Sequence, residues 1–171
     1  MDATDLLVDA VERIRELMHQ HGDLDTAVTQ RQPAKGSNSI GWLLWHTARV
    51  QDAQVAPLIG EPQLWVAEDF ARRLGFDPDE NDTGYAHTVA QAAAVLIDDL
   101  SVLLEYHDAV TGRTIEWLRS CEDADLDRVI DPRFDPPVTV GVRLVSIVAD
   151  SLEHLGQAGY VRGLLGAPPP G

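Results

Sequence analysis

Apolar residues recur every three to four positions through four long segments of this chain, a spacing that places them on one face of a helix each time. An all-α fold is therefore expected. Residues 4–19 set Leu7, Val11, Ile14 and Met18 on one face, with Asp9, Glu12, Arg13 and Glu16 between them. A second helix is expected from about Ser39, an N-cap candidate after the turn residues Pro33, Gly36, Ser37 and Asn38, to about Ile59. Along it Ile40, Leu43, His46 or Thr47, Val50 and Gln54 trace the inward seam, flanked by Trp42, Trp45 and Arg49. The third runs from a cap at Asp98 or Asp99 to Ser120, with Leu100, Leu103, Leu104, His107, Thr111, Thr114 and Leu118 on its face. The fourth begins near Thr139 and stops at Gly166, before the run "APPPG".

The connections differ in length. Between the second and third helices lies an excursion in which "LWVAEDFARRLGF" can form a short helix, "DPDENDTG" a loop, and "HTVAQAAAVLI" a further short helix. Pro132, Pro136 and Pro137 forbid helix between the third and fourth segments. No alternating stretch is long enough to indicate a strand. Four amphipathic helices so connected form a four-helix bundle, expected as a single domain over residues 1–166, with a flexible proline-rich tail at 167–171.

Composition narrows the function. With 28 acidic and 13 basic residues the chain carries a formal net charge of −15, which repels phosphate backbones and anionic membranes. Neither nucleic acid nor membrane is an expected partner. The one cysteine, Cys121, excludes an intrachain disulfide, and the N-terminus is acidic where a signal peptide needs basic residues, so a cytoplasmic location is expected.

Asp150 and His154 are four residues apart on the fourth helix, so their side chains leave one face a turn apart. His46 points inward from the second helix, and bundle interiors are where facing helices bring ligands together. Three nitrogen and oxygen donors with an open position suit zinc or a neighbouring divalent ion. The competing reading has His46 and His154 satisfied by hydroxyls and backbone, with Asp150 paired to Arg143 or Arg162. His107 is a further inward histidine, whereas His19, His21 and His87 fall at helix ends or in loops. Ser151 lacks a nucleophile-elbow context.

The segments "SIGWLLWHTARVQD" and "DSLEHLGQAGYVRGLL", with the excursion "LGFDPDENDTGY" and the link "DPRFDPPVTVGVRLVS", resemble the DinB-like superfamily of metal-binding four-helix bundles, in particular its actinobacterial members. The resemblance spans nearly the whole chain. It implies a divalent ion, zinc or nickel, held by a histidine of the second helix and an H-x-x-x-H pair followed by Gly-Gln on the fourth. His46 matches the first of these, and His154 before Gly156 and Gln157 matches the last; Asp150 stands where the family has histidine. It also implies work on low-molecular-weight thiols (mycothiol, or bacillithiol and glutathione) as an S-transferase or isomerase. On that reading the electrophile is expected in the mouth of the bundle, against Trp42, Trp45 or Tyr160. Many such bundles pair, so a homodimer is compatible with the sequence though not shown by it. The alternative is a non-catalytic bundle that binds a small molecule or partner protein, with or without a structural ion.

Overall fold

The structure, a computed structural model, describes residues 1–169. Four long helices build it: α1 (Ala3–His19), α3 (Ile40–Ile59), α7 (Leu100–Ser120) and α9 (Val140–Leu164). Short ones lie between: α2 (Thr26–Gln30), α4 (Leu64–Ala67), α5 (Phe70–Arg73), α6 (Val89–Ala94) and α8 (Asp123–Leu126). Each long helix begins at a side-chain cap that accepts an otherwise unpaired backbone N–H. Asp2 caps α1, Ser39 caps α3, Asp99 caps α7 and Thr139 caps α9. Gly60, at φ 82°, ends α3 in the left-handed conformation that glycine adopts without strain.

The helices are not arranged as a simple up-and-down bundle. Arg143 of α9 bonds Gln54 of α3, while Asp150 lies against His46, so these two helices run antiparallel. Arg49 bonds Tyr106, Gln51 meets Thr114 and Asp52 meets Arg113, so α3 and α7 run parallel. A parallel pair needs a crossover that spans the whole helix again, about 30 Å for twenty residues, and residues 60–99 supply it.

That crossover climbs back along α3. Asp52 accepts from the amides of Leu64 and Trp65, Arg49 donates to the carbonyls of Glu80 and Asp82, and His46 meets the carbonyl of Thr83. The excursion therefore covers the face of α3 that an ordinary bundle would leave to solvent. Every residue from Ile40 to Asp52 is buried as a result. Arg49 was expected on the flank, yet it is fully buried, bonded to Tyr106 and Gln63 and 3.6 Å from Asp52. Asp52 is buried with all its lone-pair directions engaged: Arg113 at 2.6 Å and Tyr106 at 2.8 Å complete its shell. A buried pair persists only where hydrogen bonds replace lost hydration in this way.

Several elements were not expected, the short helices α2 and α8 among them. The link between α8 and α9 contains a small antiparallel pair, β1 (Val129–Asp131) with β2 (Val138–Thr139), flanking the prolines. The segment "LWVAEDFARRLGF" forms two one-turn helices, α4 and α5, instead of one. Of the expected tail, Pro170 and Gly171 lie outside the described residues, while the carbonyl of Pro168 accepts a hydrogen bond from Arg162.

Candidate metal centre

The antiparallel packing of α3 on α9 brings His46, Asp150 and His154 together. One ligand atom from each lies within 4.8 Å of the others. The Nε2 of His46 is 3.8 Å from Asp150 Oδ2, and the Nε2 of His154 is 3.5 Å from Asp150 Oδ1. A tetrahedral ion with bonds near 2.0 Å holds its ligand atoms roughly 3.3 Å apart, so the two histidine-to-aspartate separations are within about half an ångström of that spacing and the cluster as a whole must draw in to bind. His107 does not join them; it is fully buried on α7 with neither ring nitrogen partnered among the described residues.

Hydrogen bonds behind the imidazoles fix which nitrogen faces the cluster. The Nδ1–H of His46 donates to the Thr83 carbonyl at 2.5 Å, and the Nδ1–H of His154 donates to Gln157 Oε1 at 3.1 Å. Both acceptors are oxygens, so both imidazoles place the Nε2 lone pair toward Asp150 when neutral. Two lone pairs then converge on a carboxylate whose Oδ2 is buried and unpartnered. Such an arrangement repels itself unless a cation enters it, and the donor set fits a divalent ion.

The charges respond accordingly. Burial pushes the His46 imidazole below its ordinary pKa, against the favourable bond to Thr83. His154 is raised, chiefly by its interaction with Asp150, and Asp150 is lowered by the same contact. Of the two imidazoles, His154 is therefore the one whose charged form the cluster favours.

The loop that reaches His46 is pressed tightly onto it. Gly84 has φ +85°, and a Cβ there would stand 2.8 Å from His46 Nδ1 and 2.9 Å from the Trp45 ring. Trp42 stacks on His46, with ring centroids 4.7 Å apart and planes 10° off parallel. Its Nε1–H donates to His87 Nδ1, and His87 Nε2–H in turn donates to Asp82 Oδ1 at 2.8 Å. Thr83, Gly84 and His87 are the supporting residues that sequence reasoning missed. A backbone carbonyl leaves no mark in a sequence; the only available signal was the turn glycine in "NDTGY".

Several expected roles change. Asp150 pairs with neither Arg143 nor Arg162: Arg143 is held by Gln54, and Arg162 by Asp23. Trp45 is fully buried between Phe76 and His87, so it cannot line a mouth. Tyr160 borders a separate apolar cavity with Gln157, Leu43 and Leu164. The open side of the cluster is a cavity of about 440 Å³, lined by His46, Val50, Ala53, Gln54, Thr83, Tyr85, Arg143, Ser146 and Asp150.

Fold and cluster together define a helical bundle with a His-Asp-His group that could hold a metal ion between its second and fourth long helices. The DinB superfamily pattern matches residues 8–158, and the chain belongs to that superfamily. Among solved structures it is similar to the conserved protein of locus from Enterococcus faecalis, at 34% identity and a TM-score of 0.88, covering 96% of this chain and 98% of that one. A comparison with curated proteins finds no match. No helix among the described residues is long and apolar enough to cross a membrane.

Proposed function

We propose that this chain is a metal-dependent thiol S-transferase or isomerase whose divalent ion, zinc or nickel, is held by His46, Asp150 and His154. The observation that carries this reading is the convergence of two oriented Nε2 lone pairs on the unpartnered Oδ2 of Asp150. A divalent ion bound there would hold a low-molecular-weight thiol, of the mycothiol type, as thiolate, which is otherwise scarce at neutral pH because a free thiol has a pKa of about 8.5. The protein's own contribution is orientation and exclusion of water. Thr83 and Gln157 keep the imidazoles turned inward, and Trp42 closes the back of the site. Val50 and Ala53 form an apolar wall, with Tyr85 beside it at the opening. The thiol proton leaves to solvent, a carbon–sulfur bond forms with the electrophile, and the leaving group departs with the bonding pair.

A second reading rests on the raised pKa of His154: a proton there, paired with Asp150, relieves the same repulsion without a metal. The chain would then be a non-catalytic bundle that binds a small molecule or partner. Elemental analysis of protein purified without a histidine tag separates the two, beside a His46→Ala variant. Near-stoichiometric metal that is lost in the variant supports the transferase. No metal in either, even after reloading with zinc or nickel, leaves the binding module. Turnover of candidate electrophiles with different cellular thiols then tests the reaction.

A further inference from the structure

The outer face of α9 carries a pattern that the bundle itself does not use. Val142, Val145, Ala149, Leu152, Gly156, Gly159 and Gly163 recur at alternating spacings of three and four, the seam along which one helix packs on another. All seven are exposed, Val142, Val145 and Leu152 to 50%, 60% and 44%. Glycine inside a helix is less stable than alanine, and nothing in the chain requires it here: a Cβ at Gly156, Gly159 or Gly163 would meet no atom within 4 Å. Three such glycines in one 25-residue helix are accounted for by a helix from outside the chain that comes too close for a side chain. The face is also almost uncharged. In a chain of net charge −15, Glu153 is the one exposed charged residue from Val142 to Gly163, the depletion that the centre of a protein interface shows.

We infer that two copies of this chain pair through α9, antiparallel about a two-fold axis near position 154, and that each copy brings its Tyr160 to the rim of the cavity that opens from the other's His46 and Asp150. The occupant is a second copy because the seam is complementary to itself. Its side chains fill the N-terminal half and its glycines the C-terminal half, so antiparallel pairing lays one on the other: Leu152 over Gly156, Ala149 over Gly159 and Val145 over Gly163. That register covers all three glycines at once. The outward half of a helix about 10 Å across and about 32 Å long amounts to roughly 500 Å² per copy, or about 1,000 Å² for the pair, the lower bound for a specific interface. The dimer is therefore a reversible one. Ser146, Glu153 and Tyr160 flank the seam on the side of the cavity, which Ser146 lines. The same axis sets Tyr160 of the partner subunit beside Ser146, and the partner's Glu153 beside Glu153. Within the single chain Tyr160 is 70% exposed and borders a different cavity. The pairing does not depend on whether the His-Asp-His group holds an ion.

Sedimentation velocity of the full-length protein from about 1 to about 200 µM, with and without a chelator, tests the pairing. A reversible dimer with a dissociation constant of about 10 µM is expected in both conditions. Gly159→Leu has room within its own chain, so it should keep wild-type helix content and weaken the pair by about tenfold or more, and Val145→Glu should do the same. Gly112→Leu, equally unobstructed but on α7, should leave the pair unchanged. Glu153→Gln removes a like-charge contact at the axis and should tighten the pair by about twofold or more. In a mixture of isotope-labelled and unlabelled protein, filtered NOE measurement should show Tyr160 of one copy against Ser146 of the other. A wild type that stays monomeric at about 200 µM overturns the inference and leaves the face to a different partner. A dimer that survives both Gly159→Leu and Val145→Glu overturns the use of α9. No tightening in Glu153→Gln, or no contact between Tyr160 and Ser146, overturns the placement of the axis.

Discussion

His107 makes the protein acid-sensitive in a way that one substitution should remove. It sits fully buried on α7, and neither ring nitrogen has a partner among the described residues, so charging it in place costs its full hydration. Burial lowers its pKa from 6.5 to about 4. The folded protein thus binds this proton less readily than the unfolded chain, and stability falls as pH drops from 6.5 toward 4. With those two values the loss from this one group is about 2 kcal/mol between pH 8 and pH 5, and about 3 kcal/mol below pH 4. His107→Leu fills similar volume, buries no donor and carries no titration, so its neutral-pH stability should change little. Urea unfolding of both proteins at pH 8, 6.5 and 5, with a chelator present to remove linkage to metal, measures the effect. His21, also lowered to about 4 by burial, and the cluster histidines titrate equally in both proteins and cancel in the difference. The reasoning is refuted if the stability gap between variant and wild type does not widen by more than about 1 kcal/mol between pH 8 and pH 5.

Gly84→Ala should cost metal affinity about tenfold or more with helix content unchanged, because the added Cβ meets His46 Nδ1 and strains a backbone at φ +85°; competition with a chromophoric chelator checks this. Asp52→Asn leaves Arg49 and Arg113 without their carboxylate, and should lower stability by about 3 kcal/mol or more, read as a fall in urea midpoint at pH 7.

The long helices were legible because each carries an apolar stripe and a capping side chain, so Ser39, Asp99 and Thr139 mark their starts to within a residue. The inward aim of His46 followed from the same periodicity. What the sequence did not disclose was the parallel pairing of α3 with α7, since helical periodicity says which face is buried and nothing about the neighbour's direction. That pairing sends residues 60–99 back along α3, and it explains why Arg49 and Asp52, which look like surface residues in "HTARVQD", are buried. The strands β1 and β2 are too short to show alternation, and their pairing depends on the turn around the prolines. The supports of the cluster were hidden for the same reason as the crossover: Thr83 acts through its carbonyl, and only the course of the chain puts it beside His46.

Asp150 sets the charge arithmetic of the proposed centre. Three neutral imidazoles would leave a divalent ion at an overall +2, whereas Asp150 contributes −1 and brings the sum to +1. Exchanging Asp150 for histidine should therefore raise affinity for thiolates in general, because the ion then keeps its full charge toward them. Titration of nickel-loaded wild type and Asp150→His with 2-mercaptoethanol, followed by sulfur-to-nickel absorption, measures the change. An unchanged or weaker affinity in the variant would show that the charge at position 150 does not act on the ion.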